Sequence, residues 1–319
     1  MKSNTLFSII IPAYKGRFLQ ETIESCLALS YTNFEIVVVD DASPENLHAI
    51  VNRFHDQRIR YYRNTENCGA INVVDNWNKC LEYAHGDYVI CMGDDDRLKP
   101  CCLEEYAKLI AKHPHVDVLH AWTEIIDEHS DIQDVTDARP EIESAFALLY
   151  HRWNGRTRQF IGDFCFKTEP LKKEGGFYKL PMAWGSDDIS AFRAALSGGI
   201  ANTQTVCFQY RMNSSTISNT GSGKLKITSV LGEKDWYLNC LNKIDISLLP
   251  ETDQQYFDRI MNQIYSFFNK KVLYTCRTDM ERNPINVFYW YKQRKEIGIT
   301  VQQLVYTFLS AIKRKMMHN

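Results

Sequence analysis

Short apolar segments alternate with amphipathic ones over the first 92 residues, and this order limits the possible folds more than any other feature of the chain. Apolar runs occupy residues 6–13, 34–40 and 87–92. Between them, residues 17–28 and 71–84 carry apolar side chains at helical spacing. Strands that are apolar throughout are buried on both faces. The order therefore predicts an α/β domain with a parallel sheet covered by helices on both sides.

Polar residues follow the predicted strands at the points where the strands end, at positions 12–15, 40–43 and 94–96. In doubly wound sheets, ligands bind outside the carboxyl ends of the strands, which we call the strand-end rule. We therefore expect these three polar clusters, which are distant in the sequence, to meet at one rim of the sheet.

The third cluster contains three consecutive carboxylates, Asp94, Asp95 and Asp96. Adjacent like charges at the end of a buried strand repel one another unless a cation lies among them. Carboxylate oxygens suit Mg²⁺ or Mn²⁺, and phosphate oxygens and water usually complete the coordination of such a metal. The cluster thus indicates a metal and phosphate site, and the alternative is a solvated acidic turn that caps the next helix.

The composition of the 319-residue chain is that of a globular protein, with 45% hydrophobic and 24% charged residues. The formal net charge of −2 does not favour nucleic acid as a partner. Ten cysteines are scattered without a CxxC pair, which indicates reduced thiols and a cytoplasmic location. Since no apolar run approaches the ~18 residues of a membrane span, we expect any membrane contact to be peripheral.

Four motifs in register resemble family 2 glycosyltransferases of the GT-A fold. They comprise residues 7–14, 34–43, 67–69 and 86–100, and the similarity as a whole covers residues 6–217. The resemblance implies a doubly wound, mostly parallel sheet with helices on both faces. It also implies a nucleotide-sugar donor, and UDP is the nucleotide that most of the family uses.

In this family, loops at the rim of the sheet bind the donor nucleoside. The positions that match these loops are Pro12, Ala13, Tyr14, Asn67 and Gly69. Asp41 matches the carboxylate that accepts a hydrogen bond from the pyrimidine N3–H, and a carboxylate suits that contact because it can only accept. For Asp40 we expect a structural role in an Asx turn.

The acidic triplet departs from the family's Asp-x-Asp-Asp form, because Gly93 occupies the first Asp position. The resemblance implies that Asp95 contacts the ribose or the metal and that Asp96 holds the metal, Mn²⁺ or Mg²⁺. Asp94 occupies the variable position, where we expect it to assist donor binding.

Residues 184–193 resemble the family's Glu-Asp motif, in which an Asp at the start of a helix is the catalytic base. Counted back from Arg193, Asp187 aligns with the base and Ser186 replaces the Glu, while Asp188 is the rival candidate. The alternative is that Ser186 or Asp187 only caps the helix. Both roles can coexist, because the cap geometry fixes the carboxylate.

Residues 210–218 resemble the family's Tyr-Arg-x-His-x-x-Ser tail. The resemblance implies that Arg211 contacts the diphosphate and that Ser214 and Ser215 order a loop over it. Asn213 stands where a His that binds metal or phosphate is common, which argues against a metal ligand at this position.

The resemblance implies an inverting, metal-dependent glycosyltransferase of EC class 2.4. Its acceptor would be a hydroxyl group of a glycan or of a lipid-linked glycan in bacterial surface polysaccharide synthesis. One alternative is a sugar-1-phosphate nucleotidyltransferase, although residues 12–16 contain a single glycine where that class has a Gly-rich phosphate loop. The other is a nucleotide-sugar-binding module without activity. A dehydrogenase is disfavoured, because no GxGxxG follows the first strand.

The pattern turns helical from residue 224 onward, so we expect a catalytic domain over residues 1–220 and a helical extension over residues 221–319. Apolar side chains of residues 301–317 share one helical face, and residues 313–315 are basic. Such a helix could lie on an anionic membrane surface, near a lipid-linked acceptor. It could equally pack on the catalytic domain or on a partner subunit, including a second copy of the chain.

Overall fold

The computed structural model describes residues 4–213 and 222–318. These residues form two compact units. Residues 4–179 and 186–213 form the first, which we call the sheet unit. Residues 180–185 join 222–318 in the second, which we call the helical unit.

The sheet unit is built on a single mixed sheet, whose described strands follow the order β3-β2-β1-β4-β9-β6-β10-β5. The strands are β1 (Phe7–Ala13), β2 (Phe34–Asp40), β3 (Ile59–Arg63), β4 (Tyr88–Cys91), β5 (Arg97–Leu98), β6 (Val118–Ile126), β7 (Ile132–Val135), β8 (Ile142–Glu143), β9 (Phe164–Lys167) and β10 (Ile200–Arg211). Strands β1 to β4 run parallel, as predicted. Strand β9 lies antiparallel between β4 and β6, and β10 is parallel to β6.

Helices connect and cover the strands of the sheet unit. They are α1 (Leu19–Leu27), α2 (Leu47–Val51), α3 (Val73–Glu82), α4 (Cys102–Lys112), α5 (Ala145–Trp153), α6 (Thr168–Lys173) and α7 (Ser186–Ala195). Short 3-10 helices cover Ala70–Asn72 and Ile161–Asp163. The α/β architecture predicted from the apolar pattern is thus confirmed.

Two segments differ from what their local pattern predicts. Apolar spacing predicts a helix over residues 141–151, but Ile142–Glu143 pair with β10 as a strand. The helix begins at Ala145, where Ser144 caps it by accepting a hydrogen bond from the Ala147 amide. A strand is similarly predicted over residues 159–166, but it begins at Phe164. In both cases the partner strand, which lies far away in the sequence, decides where pairing begins.

Strand β1 shows why the apolar run predicts a central strand. Phe7, Ile9 and Ile11 point to one face of the sheet and Ile10 to the other, and all four side chains are fully buried. A strand covered on both faces cannot tolerate the polar alternation of a half-exposed strand. The polar residue within β1, Ser8, is also buried and donates a 2.6 Å hydrogen bond to Glu35 Oε1.

The helical unit contains α8 (Gly223–Leu241), α9 (Glu251–Arg282), α10 (Asn286–Gln293) and α11 (Val301–His318). Helix α9 contacts each of the other three, and its buried side chains recur every four residues from Ile260 to Cys276. None of the helices in the described parts of the chain combines the length and the apolar character that a bilayer crossing requires.

Residues 180–185 belong to the helical unit because their contacts are with α8. Ser229 Oγ donates a 2.7 Å hydrogen bond to the Pro181 carbonyl. The Lys226 ammonium lies 4.3 Å from the centre of the Trp184 ring. The chain then enters α7 of the sheet unit directly, at Ser186.

Candidate active site

The acidic triplet, Asp94 to Asp96, follows β4 in a tight turn, which we call the acidic turn. Long-range hydrogen bonds hold this turn. Asp96 is buried, and its Oδ1 accepts a 2.9 Å bond from the Arg211 amide. Thr22 Oγ1 donates to the Asp96 carbonyl at 2.9 Å. Asp95 Oδ2 accepts a 2.7 Å bond from Asn213 Nδ2. These contacts fix each carboxylate through one of its two oxygens.

The remaining oxygens of Asp95 and Asp96 converge on Gly93. A Cβ atom at position 93 would lie 2.9 Å from Asp95 Oδ1 and 3.0 Å from Asp96 Oδ2. Any side chain at this position would therefore displace both carboxylates. The structure thus accounts for glycine where the family pattern has Asp.

Burial in this turn disfavours the charged forms of the carboxylates. The pKa of Asp96 is raised well above its usual value by burial and by the neighbouring Asp95 charge, and burial also raises the pKa of Asp95. A cation beside the two converging oxygens would relieve this cost.

The two carboxylates fit a divalent metal of the kind that keeps most of its ligands outside the protein. Within the described residues, no group of three or more His, Cys, Asp or Glu side chains is arranged as a metal site. Mg²⁺ and Mn²⁺ sites commonly use one or two carboxylates and take the remaining oxygens from phosphate and water. Asp95 Oδ1 and Asp96 Oδ2 can supply such a pair.

Asp94 has a different role from its two neighbours. Its Oδ2 accepts hydrogen bonds from the Tyr14 and Lys15 amides, both at 2.7 Å. Burial, with the Asp95 charge, raises the pKa of Asp94 to about 6. Asp94 therefore ties the loop after β1 to the turn after β4, instead of presenting its charge to a ligand.

The loops after β1 and β2 also meet, as the strand-end rule predicts. The Asp41 amide donates to the Ala13 carbonyl at 2.8 Å, and Ser43 Oγ donates to the Tyr14 carbonyl at 2.6 Å. Tyr14 is exposed beside this junction, whereas Ala13 is buried and Pro12 is half-buried. Of the three residues matched to the base-binding loop, Tyr14 has the side chain best placed to contact a ligand.

The Asp41 carboxylate accepts hydrogen bonds from the loop that follows β3. Its Oδ1 accepts hydrogen bonds from Asn64 Nδ2 at 2.7 Å and from the Cys68 amide at 3.0 Å. Asn67 Oδ1 accepts a bond from the Gly69 amide, and Gly69 has a φ of +75°, which favours glycine. The predicted Asn67 and Gly69 loop therefore folds beside the Asp41 carboxylate.

Asp40 is fully buried, and neighbouring residues donate hydrogen bonds to its carboxylate. Its carboxylate accepts from the Ser43 amide at 2.7 Å and from the Tyr61 hydroxyl at 2.6 Å. Arg63 donates to the same group. This set of partners is structural, and it distinguishes Asp40 from Asp41.

Two adjacent carboxylates begin α7, and their surroundings differ. Asp188 is buried, and its Oδ1 accepts from Arg152 Nε at 2.9 Å and from Gln159 Nε2 at 2.7 Å. Asp187 is half-buried in the same helical turn. Its charge, with those of Asp95 and Asp96, helps to raise the pKa of Tyr210, mainly a burial effect. The Asp187 carboxylate therefore lies near Tyr210, as Asp95 and Asp96 also do.

A buried polar network lies behind α7. Gln159 Oε1 accepts a 3.1 Å bond from Arg139 Nη2, so Arg139 supports the residue that holds Asp188. His120 is also buried, with its Nε2 3.4 Å from Asp163 Oδ2. Burial and the Arg139 charge lower the pKa of His120. The network fixes the first turn of α7 against the sheet.

Arg211 does not have the position that its resemblance to the family tail implies. Its side chain is fully buried, and its Nε donates to the Asp95 carbonyl at 2.8 Å. Its other nitrogens donate to the Asp127 carbonyl at 3.0 Å and to Glu21 Oε2 at 2.9 Å. The buried guanidinium stabilises the acidic turn through its hydrogen bond to the Asp95 carbonyl. We therefore assign Arg211 a structural role instead of the expected diphosphate contact.

Other residues of the tail bear on the site to different degrees. Asn213 belongs to the acidic turn through its hydrogen bond to Asp95. Ser214 and Ser215, expected to order a loop over the diphosphate, lie outside the described residues.

Three residues of the site were given no individual role from the sequence. The Lys15 ammonium partly offsets the burial that raises the pKa values of Asp94 and Asp95, and so lies close to the acidic turn. Asn64 joins Asp41 to α3. Tyr210 lies near Asp95, Asp96 and Asp187, whose charges act on it. Asn64 directly follows β3, so the strand-end rule could have identified it.

Sequence comparison places the chain in a family. Residues 8–173 match the family described as Glycosyl transferase family 2. The putative teichuronic acid biosynthesis glycosyltransferase TuaG of Bacillus subtilis is 35% identical over 238 residues, which are 73% of this chain and 86% of TuaG. The chain belongs to glycosyl transferase family 2. This glycosyltransferase also matches several other curated relatives over less than half of their length.

Solved structures show the fold of this family 2 glycosyltransferase. S. aureus TarS 1-349, in complex with UDP-GlcNAc, superposes with a TM-score of 0.63 at 17% identity, covering 98% of this chain and 92% of that one. The mannosyltransferase PcManGT of Pyrobaculum calidifontis, in complex with GDP-Man and Mn²⁺, gives 0.55 at 14% identity, covering 99% and 88%. These likenesses establish an α/β fold of the GT-A type.

Proposed function

We propose that this glycosyltransferase moves a sugar from a UDP-sugar donor to a hydroxyl group of a glycan or lipid-linked acceptor, with inversion at the anomeric carbon. The observation that carries the proposal is the placement of Asp95, Asp96 and Asp187. Two carboxylates converge on one point after β4, and a third lies close enough for all three to influence the pKa of Tyr210. The proximity of all three carboxylates to Tyr210 supports a base site close to the leaving-group site.

The donor side of the proposal rests on Asp41 and on the loops around it. Asp41 is a buried carboxylate that already accepts two N–H donors, so its oxygens suit the N3–H of uracil. The solved TarS complexes contain UDP-GlcNAc and UDP, which supports a uridine nucleotide for this chain as well.

Asp95 and Asp96 would hold Mn²⁺ or Mg²⁺ together with the donor diphosphate. When bound, such a metal neutralises the negative charge that develops on the departing nucleoside diphosphate. The PcManGT complex contains Mn²⁺, which supports a divalent metal in this fold. Arg211 and Asn213 keep the two carboxylates in place, since each donates a hydrogen bond within the acidic turn.

Asp187 would act as the general base. Its carboxylate accepts the proton of the acceptor hydroxyl as that oxygen bonds to the anomeric carbon, while the bond from that carbon to the diphosphate oxygen breaks. The bonding electrons leave with the nucleoside diphosphate. A single displacement from the opposite face inverts the configuration of the sugar.

The biological setting belongs to the same proposal. TuaG is named for teichuronic acid biosynthesis, which supports a role in bacterial surface polysaccharide synthesis. All ten cysteines are free, which supports a cytoplasmic setting. A location at the inner face of the cell membrane is part of the same proposal. We assign catalysis to residues 1–220 and treat residues 221–319 as a helical extension.

Calorimetric titration with UDP, in the presence and absence of Mn²⁺, tests the proposal together with a transfer assay. We expect UDP to bind more tightly with Mn²⁺, and we expect a UDP-sugar to be consumed only when an acceptor glycan is supplied. Metal-independent UDP binding would contradict the metal site. Tight UDP binding without transfer to any of a panel of surface glycans would favour a binding module instead.

A further inference from the structure

Helix α11 has an apolar surface on the side that faces away from the rest of the helical unit. Leu304, Thr307 and Ala311 are buried, and α11 packs on α9. On the opposite side, Val305 and Leu309 are 51% and 61% exposed. A helix that only docks on a protein core normally has polar residues on its outer face. This helix is therefore apolar where solvent would be expected.

The apolar stripe of α11 extends over almost its whole length. Val301, Val305 and Leu309 follow one another at intervals of four residues, and Met316 continues the same side two turns later. Tyr306, beside this stripe, is 77% exposed. The stripe is contiguous, unlike the scattered apolar residues that are normal on a protein surface.

Helix α10, which contacts α11, has a similar surface. Phe288 and Tyr291 are exposed, and Lys292 is exposed on the same helical face. Lys295 is exposed in the turn that follows the helix. The Arg294 guanidinium stacks 4.1 Å from the centre of the Tyr291 ring. Aromatic side chains beside Lys and Arg are typical of helices that lie at a membrane interface.

The charge of this region decides which occupant fits the surface. Residues 282–318 contain seven Lys and Arg residues and one acidic residue, Glu296, although the whole chain has a net charge of −2. Arg314 lies 4.0 Å from Glu281, just before this segment, so the segment remains strongly positive with that pair included. A second copy of the chain would bring the same positive charge to the contact, and the two would repel each other. An anionic surface would be attracted, and each Lys or Arg close to such a membrane strengthens binding by roughly fivefold.

We propose that the exposed faces of α10 and α11 form a docking surface for an anionic lipid bilayer. The apolar side chains would enter the headgroup region, with the Lys and Arg side chains on the lipid headgroups. The biological purpose of this binding rests on the proposed function, since a lipid-linked acceptor would lie at such a surface. Bilayer binding itself does not require sugar transfer.

Flotation of the whole protein with lipid vesicles tests the proposal. We expect binding to vesicles of phosphatidylcholine with phosphatidylglycerol, weaker binding at high salt, and little binding to phosphatidylcholine alone. The double variant Val305→Ser with Leu309→Ser should lower vesicle binding by roughly tenfold or more. Lys292→Gln with Lys313→Gln should also lower it by at least roughly tenfold, and should weaken the preference for the anionic lipid.

Matched control variants distinguish binding through this surface from nonspecific vesicle binding by any exposed apolar or basic residue. Leu248 is the most exposed of the large apolar side chains described, and Lys243 is also exposed; both lie outside α10 and α11. Leu248→Ser and Lys243→Gln should bind vesicles like the wild type. Equal loss in these controls would overturn the proposal, as would binding that does not depend on phosphatidylglycerol.

Two further outcomes would overturn the proposal. If the wild type ignores vesicles and dimerises through Val305 and Leu309 in sedimentation velocity, a second copy covers the face and the proposal fails. If it neither binds vesicles nor dimerises, the lipid surface is also overturned. UDP affinity, measured in every variant, should stay unchanged, so a failure here and a failure of the nucleotide site can be told apart.

Discussion

Arg152 Nε and Asp188 Oδ1 lie 2.9 Å apart in the sheet unit. Gln159 donates a second hydrogen bond to the same oxygen. Of the two carboxylates in the first turn of α7, Asp188 is therefore the one whose hydrogen bonds fix the helix in place. Asp187, one residue earlier, is half-buried, and its charge acts on Tyr210 together with the charges of Asp95 and Asp96. This difference supports Asp187 as the base and gives Asp188 a structural role.

Asp187→Asn should lower sugar transfer by ~10²-fold or more, while UDP and metal affinity stay near the wild-type values. Asparagine keeps the shape of the side chain and caps helices about as well as aspartate, so the fold should survive. Steady-state transfer kinetics and UDP titration on the same preparation provide the measurement.

Asp188→Asn serves as the neighbouring control, and it should act on stability. The change weakens the contact with Arg152 and should cost ~1–3 kcal/mol of unfolding free energy, with a much smaller loss of kcat. Chemical denaturation measures the first quantity. If instead Asp188→Asn abolished transfer in a folded protein and Asp187→Asn did not, the roles would be reversed.

Asp96→Asn should remove most of the effect of Mn²⁺ on UDP binding. The amide keeps an oxygen for the Arg211 amide, but it lacks the charge that attracts the cation. We expect the Mn²⁺-dependent gain in UDP affinity to fall by roughly tenfold or more. Asp56→Asn, a change in the Arg58 ion pair away from the acidic turn, should leave that gain intact.

Gly93→Ala tests whether the two metal-binding oxygens need the empty space at position 93. The added Cβ would come within 3.0 Å of both carboxylates and would push them apart. UDP affinity with Mn²⁺ should fall by roughly tenfold, whereas affinity without the metal should change little. Gly232→Ala, a change in the middle of α8, is the control for added bulk and should preserve both affinities.

Asp41→Asn and Asp40→Asn should separate nucleotide recognition from stability. At Asp41 the swap introduces an N–H donor toward the base and should weaken UDP binding by ~1–3 kcal/mol. At Asp40 it weakens the contact with Arg63 and should lower the free energy of unfolding instead. Titration calorimetry and denaturation of both variants give the two rankings, and the reverse ranking would show that Asp40 is the ligand.

Stability should fall on the acidic side of neutrality because of His120. Its pKa is lowered in the folded state, so the unfolded chain takes up a proton first as the pH drops below the ordinary value of 6.5. Folding stability is therefore complete above pH 6.5 and decreases below it, by at most about 1.4 kcal/mol per pH unit. His120→Gln should remove this part of the slope in denaturation curves between pH 7 and 5. Parallel curves for the variant and the wild type would contradict the assignment.

Strands β1, β2 and β4 and the polar residues that follow them could be predicted from the sequence, whereas β3 is not an apolar run. Apolar runs report burial directly, and the residue after a strand is set by the strand itself, so Asp41 and the acidic triplet could be placed at the rim. These features are local, which is why they can be read from one chain. The same rule would have added Asn64, which follows β3.

The roles of individual charged residues, by contrast, were decided by the tertiary structure. Arg211 is buried because Glu21, 190 residues earlier, and the Asp95 carbonyl surround its guanidinium. Asp187 and Asp188 are separated by about 100° around the helix, so one must turn inward, and Arg152 and Gln159 determine which. The sequence alone determined where carboxylates stand along the chain. Only the packing of distant segments decided which of them are paired and buried, because that depends on partners that no local pattern specifies.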